Sequence, residues 1–161
     1  ETRGVSVFGG DTIVSGSVYG KLKQVYHWSG EVDSGGGSGT SENYLGIGPT
    51  DAATALSKFK HQRIAPYAGT VKKVSVRTSA ADVSNAVVVR FKVSSGADAA
   101  TAGTTSTANV TCASANTTYE AEFTSNTSIS SGDVFALSIQ RATTPPEQIN
   151  VTVVIEWDIF S

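Results

Sequence analysis

Along most of the chain, apolar and polar residues alternate with a period of two, the spacing that puts successive side chains on opposite faces of a strand. The clearest stretch is 86–93, where Val87, Val89, Phe91 and Val93 fall on one face and Val88, Arg90 and Lys92 on the other. Residues 118–123 repeat the pattern, with Tyr119, Ala121 and Phe123 inward. Residues 134–139 and 149–157 are apolar runs of strand length, and 21–28 alternates over part of its length. In 70–77, Val74 and Val76 share a face while Val71 is out of phase. A β-bulge or a late strand start produces such a slip. Shorter strand signals occur at 5–8 and 12–15.

Turn chemistry falls between these runs. Pro66-Tyr-Ala-Gly69 fixes φ at its proline and exits at a glycine. Ser130-Ser-Gly-Asp133 is a second turn, and Thr144-Pro-Pro-Glu147 separates the last two long strands. The only helical signal, 50–58, supports one turn at most. Regular strands with turns between them predict an all-β fold, an antiparallel β-sandwich that is jelly-roll-like, over residues 44–161. Residues 1–29 are expected to form a short N-terminal fibre-shaft or β-arm segment, and 30–43 a Gly/Ser-rich loop. The arm has too few apolar side chains to stand alone and needs neighbouring chains or the main domain.

Composition narrows the function classes. Charged residues are 16% of the chain, against about 25% in an average soluble domain, and Gly, Ser, Thr and Ala fill the difference. The net charge of −2 and the absence of a basic stripe argue against nucleic acid as a partner. No apolar run approaches the roughly 20 residues of a membrane-spanning helix, so no membrane insertion is expected. The chain contains no Met, so Glu1 is expected to be a processed end or the start of an excised piece. The one cysteine, Cys112, forbids an internal disulfide and reads as a buried small thiol.

Two stretches resemble known proteins. Asp11-Thr-Ile-Val-Ser-Gly-Ser-Val-Tyr-Gly20 resembles the Val-Ser-Gly-Ser-Leu repeats of bacteriophage tail-fibre shafts, where short strands from three chains wind around one axis. Residues 59–160 resemble the C-terminal β-sandwich domain of tail-fibre-like and head-fibre-like structural proteins of marine tailed bacteriophages. The landmarks are, in order, Arg63-Ile-Ala-Pro-Tyr-Ala-Gly69, the strand 71–77, 110–119 and Phe123-Thr-Ser-Asn126. Ser131-Gly-Asp-Val-Phe-Ala-Leu-Ser138 and Val154-Ile-Glu-Trp-Asp158 complete them. The resemblance implies a homotrimeric sandwich at a fibre tip, knob or capsid protrusion, held by other virion proteins. It carries over no defined binding residues, and the glycine loop at 30–43 departs from its pattern.

Candidate chemistry is sparse. The two histidines, His27 and His61, have no Gly-x-Ser-x-Gly elbow to serve, and no catalytic residues are assigned. No His-x-His, Cys-x-x-Cys or EF-hand spacing occurs, so no metal and no cofactor is expected. Gly35-Gly-Gly-Ser-Gly39 lacks the strand before and the helix after that a phosphate loop needs. Asn-x-Ser/Thr sequons at Asn109, Asn116, Asn126 and Asn150 would matter only in a secreted eukaryotic chain. Sugar recognition uses exposed aromatic faces, and Trp28, Tyr44 and Tyr67 are the candidates beside turns and loops. Loops 79–85, 94–105, 124–132 and 141–148 are the candidate binding zones.

The expectation is therefore a non-enzymatic viral structural protein, assembled in the host cytoplasm and carried on the virion. Its role is attachment of a trimeric fibre tip to a host cell-surface glycan or protein receptor. The alternatives are a capsid head fibre or decoration protein, and a monomeric carbohydrate-binding module.

Overall fold

The computed structural model describes residues 20–31, 42–46, 61–79, 86–96, 103–140 and 148–159. Among these there is no helix. The strands are β1 (Leu22–Glu31), β2 (Asn43–Tyr44), β3 (Gln62–Ile64), β4 (Gly69–Thr78), β5 (Val87–Ser94), β6 (Thr104–Val110), β7 (Thr118–Glu122), β8 (Ser128–Ile129), β9 (Val134–Gln140) and β10 (Gln148–Trp157). All pairings are antiparallel, and they form two sheets. In sheet one the order is β1-β10-β4, with β7 and β8 sharing the free side of β4. In sheet two β2 and β3 share one side of β9, followed by β5 and β6.

Counting shared positions as one lane each, the chain fills four lanes per sheet. The first lane pairs the last (β1 with β10), and the second pairs the seventh (β2 and β3 with β9). The third pairs the sixth (β4 with β7 and β8), and the fourth pairs the fifth (β5 with β6). One long antiparallel hairpin rolled into two sheets gives this nesting, which is the jelly roll. The all-β sandwich read from the alternation is the fold.

The core follows from period two. Val87, Val89, Phe91 and Val93 of β5 face Val71, Val74 and Val76 of β4 and the inward side of β10 (Ile149, Val151, Val153, Ile155, Trp157), all buried. Phe135 of β9 joins the two layers. Its ring stacks on Phe91 at 5.2 Å and meets Tyr26 edge-on at 5.7 Å. The phase slip in β4 is a bulge: Val154 pairs Lys73 and Ile155 pairs Val71, leaving Lys72 as the extra residue. The Ser130–Asp133 turn closes as its chemistry demands, with Gly132 at φ 85° and the Asp133 carboxylate accepting from the Ser130 amide at 2.7 Å.

Two sequence boundaries need correction. The arm expected over 1–29 and the loop expected over 30–43 meet within one strand, since β1 pairs β10 along all ten of its residues. Its inward row is Leu22, Gln24, Tyr26, Trp28 and Gly30, and Gln24 and Gly30 interrupt it, so the strand signal over 21–28 is only partial. Asn43, placed in the glycine loop, opens β2. β6 gives no alternation signal in the sequence, because its inward residues Ser106, Ala108 and Val110 barely differ in polarity from its outward threonines. The 5–8 and 12–15 strands, the 50–58 turn and the 144–147 turn lie outside the described residues.

Strand directions sort the connections by end. β1 begins, β10 ends, and the 65–68 and 130–133 turns lie at one end, called proximal here. The chain leaves β4, β6 and β9 at the opposite, distal end.

Gly69 sits where the chain crosses between the sheets. A Cβ there would lie 2.6 Å from the Glu156 carbonyl oxygen and 2.7 Å from Trp157 Cε3. Backbone and a buried indole cannot both yield, so Gly69→Ala is expected to cost about 1–3 kcal/mol. Urea unfolding checks this, and an unchanged midpoint would contradict the packing at this crossing.

Candidate functional site

The outer face of sheet two is polar but covered. Lys92, Ser94, Ala136 and Ser138 point away from the intersheet core and are nevertheless buried. Tyr44 pairs Ser138 across β2 and β9, so its ring lies on this outer face, while Leu45 turns back into the core. Lys92 Nζ reaches both Glu42 carboxylate oxygens, at 2.9 and 3.0 Å, and donates to Tyr44 Oη at 3.1 Å. Ser138 Oγ donates to Glu42 Oε1, the oxygen 2.9 Å from Lys92 Nζ. The Tyr44 and His61 rings lie 6.3 Å apart, and His61 is buried. Beside them Arg90 donates to Gln140 Oε1 at 2.5 Å, with its second amino group left without a partner among the described residues.

Charge balance fixes the protonation of this cluster. Burial alone would push the Glu42 carboxyl up, but the Ser138 hydroxyl and the Lys92 ammonium outweigh it and hold the group below its ordinary range. Burial alone would lower Lys92, and Glu42 and Tyr44 reverse that, leaving its pKa raised. Lys92 is therefore a held ammonium rather than a base, and Glu42 a weakly basic carboxylate. Such a pair ties the 42–46 segment to β5 and β9 and gives Ser138 little activation as a nucleophile.

The outer face of sheet one is a solvated ladder. Lys21 pairs with Glu156 at 3.2 Å and Asp158 at 3.5 Å, Lys72 with Glu156 at 3.8 Å, and Lys73 with Glu120 at 3.1 Å. Ser75 also donates to Glu120, and with Lys73 it holds that carboxyl below its ordinary value. These exposed pairs contribute little to stability. His27 lies here, exposed, with Nδ1 3.2 Å from the Thr152 hydroxyl.

The two open sides of the sandwich differ. On the β6 side, buried Phe123 fills the gap against Phe91. Ser106 donates to the Ser125 carbonyl at 2.7 Å and Asn126 to the Thr105 carbonyl at 3.2 Å, joining the two layers. On the β1–β3 side, exposed Gln24 accepts through Oε1 from both Tyr26 and Trp157 at 2.9 Å, and Arg63 is exposed beside it. On the same side stand the exposed large hydrophobics of the described residues: Leu22 (48% exposed), Val25 (62%), Ile64 (72%) and, in the adjoining turn, Tyr67 (47%). Val25 lies on the outer face of sheet one and Ile64 on that of sheet two. All four lie toward the proximal end.

The three aromatic candidates are dispersed. Trp28 is a core residue at 1% exposure, packed against Tyr26 at 5.9 Å, and its indole N–H has no acceptor among the described residues. Tyr44 is buried in the Lys92 cluster. Tyr67 is exposed, but at the proximal end. The candidate loop zones divide between the ends as well. The strand termini flanking 79–85 and 141–148 are distal and those flanking 94–105 are proximal, while 124–132 runs from the middle of β4 to the proximal end through β8. The described distal surface includes the 111–117 turn, exposed except at buried Cys112, with Asn116 at φ 58°. It carries hydroxyls, an amide and methyl groups. The sequon asparagines are all exposed.

The sequence signalled neither the Lys92–Glu42 pair nor the apolar patch, because each joins residues far apart in the chain. No family model matches this chain, and a comparison with curated proteins finds no similar sequence.

Replacing Lys92 by Met leaves a half-covered carboxylate without its counter-charge and is expected to cost about 1–3 kcal/mol at neutral pH. The Glu42 pKa is lower folded than unfolded, so its contribution is complete above the ordinary value of 4.5 and is lost as pH falls through the folded value. The Lys92 pKa is raised, so its contribution is complete below 10.5 and is lost as pH rises through the folded value. Thermal unfolding of wild type and Lys92→Met should therefore differ most near neutrality and converge in acid. A difference that persists unchanged into strong acid would contradict the ion pair.

Proposed function

We propose that this chain is the terminal domain of a viral fibre, a homotrimer carried on the virion of a tailed bacteriophage and built for attachment to a host surface. One observation carries the reading: the sandwich is polarised. The chain enters β1 at the proximal end, where the exposed apolar residues gather, directly after the shaft-like stretch 11–20. The opposite end offers a small-residue, hydroxyl-rich turn at 111–117, away from any shaft. A fibre needs this division, with assembly toward the shaft and recognition at the far end. Jelly rolls are also common in viral capsid and lectin domains, which supports the reading at the level of fold analogy alone.

In this reading the partners are two further copies of the chain, other virion proteins on the shaft side, and a host cell-surface glycan or protein at the distal end. Single contacts from a hydroxyl-rich turn are weak, and three copies per fibre supply avidity. A capsid head fibre or decoration protein would use the same assembly without the receptor. A monomeric carbohydrate-binding module fits less well, since it would leave the apolar flank in water and has no exposed aromatic at the described distal surface.

Native mass by light scattering tests the proposal. The expected value is three times 16.6 kDa. A monomer that persists at high concentration would overturn it.

A further inference from the structure

We propose that the distal half of the outer face of sheet one, centred on Arg77, binds a carboxylate-bearing polysaccharide. This rests on the attachment reading above for the source of the ligand, and adds the site and its chemical class. The site lies wholly on β1, β10, β4 and β7.

Three observations carry it. The first is charge. On this face Lys21, Lys72 and Lys73 are each paired with a carboxylate, and Lys23 acts on Glu156 opposite it. Arg77 is exposed and has neither an ion pair nor a side-chain hydrogen bond among the described residues. The acidic positions of these strands lie elsewhere. Glu120 is one strand over and one row nearer the proximal end, with its oxygens engaged by Lys73 and Ser75. Glu122 lies a further row away, opposite Lys73, and Glu31 ends β1 two strands from Arg77 and one row further out. The second is the set of neutral polar groups around the guanidinium. Asn150 and Thr118 flank Arg77 across the sheet, and Ser29 continues the row beyond Asn150. These three side chains make no hydrogen bond among the described residues, and Asn150 and Thr118 are exposed. The row is about 14 Å long, three strand spacings.

The third is that the row is rigid and continuous with the distal turn. Four hydrogen-bonded strands carry it, and the Asn116 amide donates to the Thr78 carbonyl at 2.8 Å, which fixes the 111–117 turn beside Arg77. Ser79, next after Thr78, is held to Gln148 by two bonds of 3.1 and 3.2 Å. A guanidinium takes a carboxylate through two parallel hydrogen bonds, and short amide and hydroxyl side chains match sugar hydroxyls. One cation on a chain of net charge −2 is too few for nucleic acid. The row has no apolar or aromatic anchor of the kind a protein partner uses. A polysaccharide with carboxylates spaced along it fits both the single charge and the polar strip. Without a ring to stack on, each site is weak, and repeated copies supply avidity.

The test is retention of the whole chain on immobilised polygalacturonate, alginate and hyaluronate, with methyl-esterified polygalacturonate and dextran as uncharged controls. Retention is expected on the uronate polymers, to fall with added salt, and to be absent from both controls. Arg77→Gln is expected to weaken it by about tenfold or more, the loss of one charged hydrogen-bonding group. Arg77→Lys is expected to keep part of it, since an ammonium retains the charge without the paired donors. Lys23→Gln, at an exposed cation of the same face outside the row, is expected to leave it unchanged. Circular dichroism and melting verify the fold of each variant. No retention on any of the three polymers, or equal loss in Lys23→Gln and Arg77→Gln, overturns the site and its ligand class and leaves the attachment reading standing. Retention on the uncharged controls that Arg77→Gln does not alter overturns them as well. A chain that is monomeric by native mass removes the fibre reading itself, whichever polymer retains it.

Discussion

Two sheets packed face to face leave two open flanks, and the structure depends on how each is closed. Rolling one long hairpin into a jelly roll buries the inward rows of β4, β5, β9 and β10 as a single core. It cannot bury the edges. On one side the chain spends a phenylalanine, a serine and an asparagine to join β6 to the segment between β7 and β8. On the other it sets exposed Gln24 as a double acceptor for Tyr26 and Trp157 and leaves Leu22, Val25 and Ile64 exposed. The first flank is finished within one copy. The second leaves Leu22, Val25, Ile64 and Tyr67 exposed beside the polar Gln24 and Arg63.

The other polar investment has a different character. Lys92 and Glu42 lie over the outside of sheet two, where a solvated face would be expected from alternation alone. A part-buried ion pair gains stability only when its remaining hydrogen bonds are filled, and here Tyr44 and Ser138 fill them. The pair fixes where the 42–46 segment crosses sheet two. That in turn sets Leu45 over Leu137 through its backbone bond of 3.0 Å and completes the lane shared by β2 and β3. The same residue types in a solvated cleft would invite a catalytic reading. Held as ammonium and depressed carboxylate, they act as a clamp.

Much of the fold was legible because strand burial has a period of two and the long strands obey it. The β4 bulge was legible for the same reason, since Val71 breaks the phase that Val74 and Val76 keep. β6 was not, because Ser106 and Ala108 can face a core only when large neighbours such as Phe91 fill the space opposite. β1 is legible only as partial alternation over 21–28, because Gln24 and Gly30 interrupt its inward row and only Tyr26 and Trp28 mark it. Of the site, local sequence could give residue types but no positions. Trp28, Tyr44 and Tyr67 look alike beside turns, yet their fates differ with the lane each occupies. The apolar flank joins positions 22–25 to 64–67, which no local pattern connects.

The central claim is that the chain assembles through the end of the sandwich where its exposed apolar residues gather, and hydroxyl-radical footprinting read by mass spectrometry tests that residue by residue. The account predicts that Leu22, Val25, Ile64 and Tyr67 are labelled far more slowly in the native assembly than in the same chain diluted to monomer, while Tyr119 on the opposite flank is labelled equally in both. Labelling of the four residues at the same rate in the native protein and the monomer would contradict it.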